Sequence, residues 1–363
     1  MALKSRLAAV RWTFVVPMLA VVLLAVTWGS KPATPVLVVL GAFLAASVLA
    51  AVHHAEVVAH RVGEPFGSLV LAVAVTVIEV GLIVTLMVSG EAETGTLARD
   101  TVFAAVMITC NGIVGLCLLV GALRRGVADF NAEGTATALA TVLTLATLCL
   151  VLPRFTTSEP GPEFSSGQLA FAAIASIALY GLFVLVQTVR HRDYFLPVGV
   201  GADEEIHAAP PSPRATWTSL GLLLAALVAV VGLAKLESPA IEDAVDAAGA
   251  PESAVGVVIA LLVLAPETLA AVRNAQRDRM QTSLNLALGS AIASVGLTIP
   301  AIAVASIWLE GPLVLGLGST QIVLLVITGA VGALTVLPGR ATLQESGVHL
   351  VLFAAFFFLA LNP

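Results

Sequence analysis

The sequence predicts an all-α polytopic membrane protein with eleven transmembrane helices: a leading helix and two inverted five-helix repeats. Three observations predict it. The 363 residues are 59% hydrophobic and 11% charged, with a mean hydropathy of +1.03; an ordinary soluble domain carries about twice that charge. Continuous apolar runs of ~20 residues, the length a bilayer requires, recur from end to end. The runs do not alternate, so a closed β-barrel is excluded, and helices are the remaining way to satisfy the backbone in lipid. Finally, a single long polar connection divides the runs that follow the first into two groups of five.

The elements follow in chain order. Residues 1–30 form the leading helix, whose apolar run, 12–28, follows Lys4, Arg6 and Arg11. That start has the form of a secretory signal, and the many later runs make it an uncleaved first helix. Residues 31–189 hold the first repeat, with spans at 35–60, 66–89, 101–123, 134–152 and 168–189. The linker is 190–214, "RHRDYFLPVGVGADEEIHAAPPSPR", with Asp203, Glu204 and Glu205 ahead of Pro210, Pro211 and Pro213. Residues 215–363 hold the second repeat, with spans at 215–235, 252–273, 281–308, 318–337 and 342–361. Pro65 and Pro251 stand where helix starts favour proline. The acidic stretch 237–252, "ESPAIEDAVDAAGAPE", reads as a short surface helix.

Basic residues orient the chain. Thirteen of the 17 Lys and Arg, Arg124, Arg125, Arg190 and Arg273 among them, fall in segments on the side of the N-terminus; only Lys31, Arg99, Arg154 and Lys235 fall opposite. The N-terminus is therefore expected in the cytoplasm and the C-terminus outside. No basic tail or patch suggests nucleic acid. Cys110, Cys117 and Cys149 lie inside apolar runs without CxxC spacing and read as packing residues.

The candidate site begins with an anomaly in "LAVAVTVIEVGLIVTLMVSG" (71–90): one carboxylate, Glu79, surrounded by aliphatic residues. Desolvating an ionised carboxylate is costly unless something compensates it. The matching helix of the second repeat, "VVIALLVLAPETLAAV" (257–272), carries Glu267 after Pro266. Glu79 lies 14 positions after Pro65 and Glu267 lies 16 after Pro251. Five spans per repeat give the repeats opposite orientations, so two acids entering from opposite faces are expected to meet near the midplane, the usual site of inverted-repeat transporters. Thr76 and Thr85 flank Glu79; Asn111 lies in "TCNGIVGL"; Asn285, Ser290 and Ser294 lie in "NLALGSAIASVGLTIP". Glu79, Glu267, Thr76, Asn111 and Ser290 supply hard oxygen ligands, suited to calcium, magnesium or sodium. Glu56 and His60, in "HHAEVVAHRVGEPFG" (53–67), are placed to relay ions or protons at the inner mouth. With His53 and His54 they lack HExxH spacing, so zincin chemistry is not indicated.

"AHRVGEPFGSLVLAVAVTVIEVGLI" (59–83) and "SLNLALGSAIASVGLTIP" (283–300) resemble signature stretches of the bacterial calcium/proton antiporters of the ChaA type, in the CAX branch of the calcium/cation antiporter superfamily. The resemblance covers essentially the whole chain. It implies eleven helices, exchange of Ca2+ for H+, and an ion site at one glutamate per repeat, matching Glu79 and Glu267. It also matches Glu56 to an acid in Glu-x-x-Ala-x-Arg-x-Gly, and Asn111 to an asparagine after the first signature. Typical members carry an amide where this chain has Thr76 and Leu264, and a glutamine where it has Ala293. Sodium and potassium therefore stand beside calcium as expected cargo, and no cofactor is expected. The expected surroundings are the lipid bilayer of the bacterial inner membrane and small cations. Sodium-coupled exchange and a cation channel are the competing classes; no residue pattern points to an enzyme.

Overall fold

The structure, a computed structural model, describes residues 2–30, 32–63, 66–89, 94–197, 210–247, 249, 251, 253–309 and 311–362. The described residues form eleven long helices. These are α1 (Ala2–Thr27), α2 (Thr34–Val62), α3 (Phe66–Ser89), α4 (Leu97–Arg125), α5 (Ala132–Arg154) and α6 (Ser166–Arg190). Then come α7 (Pro213–Ala247), α8 (Ser253–Gln276), α9 (Met280–Ala305), α10 (Ser319–Val336) and α11 (Leu343–Leu361). Each expected span falls on one of them. All but α1 have a helical stretch of at least 18 residues apolar enough to cross a membrane; the apolar part of α1 is Trp12–Thr27. Helices α2–α6 and α7–α11 are the two inverted five-helix repeats.

Local chemistry sets the ends. Asn131 caps α5, its Oδ1 accepting from the backbone N–H of Glu133 (2.9 Å) and Gly134 (3.2 Å). Gly126, at φ +82°, closes α4 in a backbone region that costs other residues more. Four helices contain π-turns. Those in α4 (Ile108–Ile113) and α9 (Ser294–Thr298) sit inside the third helix of each repeat.

Two expectations meet a correction or a limit. The acidic stretch after residue 237 is not a separate surface helix: α7 continues through Pro239 to Ala247. Proline removes one N–H and crowds one turn, a local cost that a long helix absorbs. Pro65 and the acidic centre of the linker, Asp203, Glu204 and Glu205, lie outside the described residues.

The chain divides into two compact units. The first holds α1, α2, α3 and α7, with α2 packed along α7 and against α1 and α3. Small residues allow close approach there: a Cβ on Gly232 would come within 2.4 Å of Leu24, and one on Gly81 within 2.6 Å of Val231. The second unit holds α4, α5, α6 and α8–α11. Helix α4 is its core element, with 89% of its most apolar stretch buried. It packs against α8, α9 and α11. A two-residue ladder, β1 (Ala128–Asp129) with β2 (Arg340–Ala341), ties the end of α4 to the start of α11. On both units large apolar side chains such as Trp217, Phe171, Ile174 and Leu334 face outward. In water that surface is a liability, and in a bilayer it is the lipid contact.

Candidate functional site

In the first unit the site residues sit on α3. Glu79 is 3% exposed and Thr76, one turn earlier on the same helix face, is 8% exposed. Ile78, Leu82 and Ile83 bury the flanks of that turn. A carboxylate in such surroundings is stable either protonated or with a positive charge brought to it. On α2, Glu56 and His60 share an exposed face one turn apart. His53 is also exposed, whereas His54 is buried between helices. The His54 Nε2 lies 2.9 Å from the Thr13 carbonyl and its Nδ1 3.2 Å from the Ser219 hydroxyl. The Nε2–H tautomer satisfies both contacts, so His54 ties α1, α2 and α7 together. Among the described residues, no group of three His, Cys, Asp or Glu is gathered to hold a metal ion.

In the second unit Glu267 is half-buried on α8, directly after Pro266. Proline supplies no N–H for the carbonyl of Leu262, one turn before it. The next residue, Thr268, turns its hydroxyl back onto the Leu264 carbonyl at 2.7 Å. The span expected to end at residue 273 runs on to Gln276, so Glu267 is an interior residue of α8. Helices α3 and α8 are both 24 residues long. Glu79 is the fourteenth residue of one and Glu267 the fifteenth of the other.

Asn111, 0% exposed, lies in the π-turn of α4, and α8 packs against that turn. Its Nδ2 donates to Thr328 Oγ1 at 2.9 Å, and its Oδ1 faces His349 Nδ1 at 3.2 Å. Ser290 is half-buried on α9, whose π-turn begins at Ser294. Asn285 plays a structural part, donating to the Phe195 carbonyl at 2.7 Å and accepting from Gln281 at 2.8 Å. Ser283 fastens α9 to α8 by donating to the Ala271 carbonyl at 2.8 Å. Cys110, Cys117 and Cys149 are buried free thiols, as packing residues would be.

Sequence reasoning missed Thr328 and His349, which hydrogen-bond to Asn111, and Thr335, which contacts the far side of the His349 ring. The one available signal was His349, a lone histidine within "SGVHLVLFAAFFF".

Ten helices long and apolar enough to cross a membrane, behind a shorter apolar first helix, with a carboxylate midway along the second helix of each five-helix repeat, have the plan of an ion transporter. A model of the sodium/calcium exchanger protein family matches residues 32–189 and 218–362, and the chain belongs to that family. The protein y4hA of Sinorhizobium fredii is 43% identical over 359 residues, 97% of this chain and 96% of its own. The sodium-potassium/proton antiporter ChaA of Escherichia coli is 33% identical over 351 residues, 95% of this chain and 94% of its own. Among solved structures, native YfkE superposes with a TM-score of 0.70 at 18% identity, covering 97% of this chain and all of that one. At that identity the likeness shows the fold.

Proposed function

We propose that this protein exchanges a small inorganic cation for protons by alternating access, with Glu79 and Glu267 carrying both cargoes in turn. One observation carries the reading: a single carboxylate at the fourteenth or fifteenth position of two 24-residue helices that occupy the same place in inverted repeats. Protonated, the two side chains are neutral and tolerate low dielectric. Ionised, they hold a charge that a cation must neutralise, because carboxylates in a desolvated site do not stay charged alone. Cation and protons thus compete for the same oxygens, and that competition is the coupling between them. Thr76, Asn111 and Ser290 are the supporting ligands, and Glu56 and His60 the relay toward the cytoplasm. Helices α2 and α7, which pack along each other, are the moving elements.

Calcium is the first reading of the cargo, supported by the resemblance of the two signature stretches. Sodium or potassium is the second. It is favoured by Thr76, a hydroxyl where calcium exchangers of this type carry an amide, and by the exchange for which the 33% identical relative ChaA is named. The excess of basic residues on the N-terminal side supports a cytoplasmic N-terminus and an external C-terminus in a bacterial inner membrane.

The test uses everted membrane vesicles holding an acid interior, with a pH-sensitive dye. Calcium, sodium and potassium are added in turn. Cation-dependent proton release that a protonophore abolishes is expected, and Glu79→Gln or Glu267→Gln should each eliminate it. Full exchange in either variant overturns the assignment; flux independent of the pH gradient identifies a channel.

A further inference from the structure

The polar cluster around Asn111 holds one group that the exchange reaction, as proposed above, does not yet use. His349, on α11, is 2% exposed. Its Nδ1 faces Asn111 Oδ1 at 3.2 Å and its Nε2 faces the Thr335 hydroxyl at 3.1 Å. The far end of the same carboxamide, Nδ2, reaches Thr328 Oγ1 at 2.9 Å and lies 3.9 Å from Met107 Sδ. Thr328 and Thr335 are 1% and 3% exposed, so these groups lie away from bulk solvent. The ring is fixed in place: a Cβ on Gly115 would sit 3.1 Å from the His349 Cβ, which shows how closely α11 lies on α4.

Hydrogen-bond roles in this cluster are coupled. A hydroxyl can donate or accept, so neither threonine distinguishes the oxygen of the Asn111 amide from its NH2. A neutral imidazole can, because one nitrogen donates and the other accepts. With Nδ1 protonated, the ring holds Oδ1 and takes the Thr335 proton on Nε2. Turning the amide over would require the other tautomer and would move the NH2 away from the thioether sulfur, which only accepts. A carbonyl oxygen also has two lone pairs. In the exchange proposed above, the one not used by His349 is the one a cation would take, whereas an inverted amide would present a donor and repel it.

We propose that His349 is a positioning residue for cation binding. By holding Asn111 Oδ1 in the π-turn of α4 it fixes which end of the amide meets the cation, and so sets cation affinity. The inference rests on Asn111 acting as a ligand in the exchange proposed above.

The experiment measures KM and maximal rate for the transported cation in proteoliposomes, and in detergent the cation-induced rise in melting temperature. His349→Leu should raise KM about tenfold, the effect of losing one hydrogen bond, with the maximal rate per folded protein nearly unchanged. His349→Gln, which retains a donor, should restore part of the affinity. Thr335→Val, which removes only the support on Nε2, should raise KM by a smaller factor. A ring that merely fills space would lower folding yield without moving KM. Wild-type KM in folded His349→Leu overturns the proposal. If that variant does not fold, wild-type KM in both His349→Gln and Thr335→Val overturns it. Absence of cation/proton exchange in the wild type is a different result and defeats the functional reading itself.

Discussion

Removing the carboxylate of Asp100 should destabilise the second unit by about 3 kcal/mol, near the lower end of the ~3–5 kcal/mol for breaking a buried ion pair. Asp100 begins the membrane part of α4 and its side chain is 3% exposed, against 17% for its partner Arg99. The guanidinium grips it with two bonds, Nε to Oδ1 at 2.8 Å and Nη2 to Oδ2 at 3.1 Å. Gln321, at the start of α10, donates to Oδ1 at 3.3 Å while its own Oε1 accepts from the Gly318 N–H at 2.9 Å. Asp100→Ala leaves Arg99 with only the Gly316 carbonyl, at 3.4 Å, among these contacts. The residual exposure of Arg99 lets water take part of the load, which places the cost near the low end of the range. The double variant Arg99→Ala/Asp100→Ala leaves no orphaned charge, so it should cost less than the sum of the single variants by ~1–3 kcal/mol. The assay is an unfolding titration of the purified protein in mixed micelles, run for the four proteins of this cycle. A loss below about 1 kcal/mol in Asp100→Ala, or strict additivity in the double variant, refutes the reasoning.

Three further outcomes are expected. Gly256→Ala places a Cβ 2.8 Å from the Thr101 nitrogen and 3.0 Å from the Asp100 carbonyl carbon, both backbone atoms of α4. The crossing of α8 over α4 must widen, and melting should register an overpacking cost of ~1–3 kcal/mol. Asp278, in the turn between α8 and α9, has its carboxyl held below the usual range, first by the hydrogen bond from Arg125 and then by the charges of Arg125 and Arg124. Because the folded value is depressed, this contribution is full above the ordinary aspartate range and fades as pH falls through the folded value. The melting temperatures of wild type and Asp278→Asn should therefore differ at neutral pH and converge in strong acid, and high salt should narrow the gap. Thr76→Asn, which puts an amide where calcium exchangers of this type have one, should shift the ratio of calcium-driven to sodium-driven proton release toward calcium; an unchanged ratio removes Thr76 from the selectivity argument.

Much of the architecture was legible because lipid imposes a simple rule: a run must be long, apolar and helical. The eleven runs needed no knowledge of their neighbours. Glu79 and Glu267 were legible for a related reason, since a charge in such a run is conspicuous without any structure. The cluster around Asn111 was not. Its partners Thr328 and His349 stand 217 and 238 residues away, and no local pattern signals that pairing. The extension of α7 past Pro239 was not legible, because the acidic composition after Glu237 suggested a separate surface element, whereas the same helix continues there with its described residues partly or fully exposed. The π-turns were equally invisible, since nothing in "ITCNGI" or "SVGLT" distinguishes a wide turn from an ordinary one.

Those wide turns decide where the third helix of each repeat can lose a residue. A turn that closes on the fifth residue instead of the fourth holds one extra residue without advancing the helix face. Deleting one residue between 108 and 113 would convert the wide turn of α4 into an ordinary one and leave its far end in phase. Arg124 and Arg125 would still face Asp278, and Gly115 would still face the Cβ of His349. The same deletion between 116 and 120, in ordinary helix, would swing everything beyond it by about 100° and pull both arginines off their carboxylate. The surplus residue in α4 is thus slack in its winding, and it lies in the turn that carries Asn111.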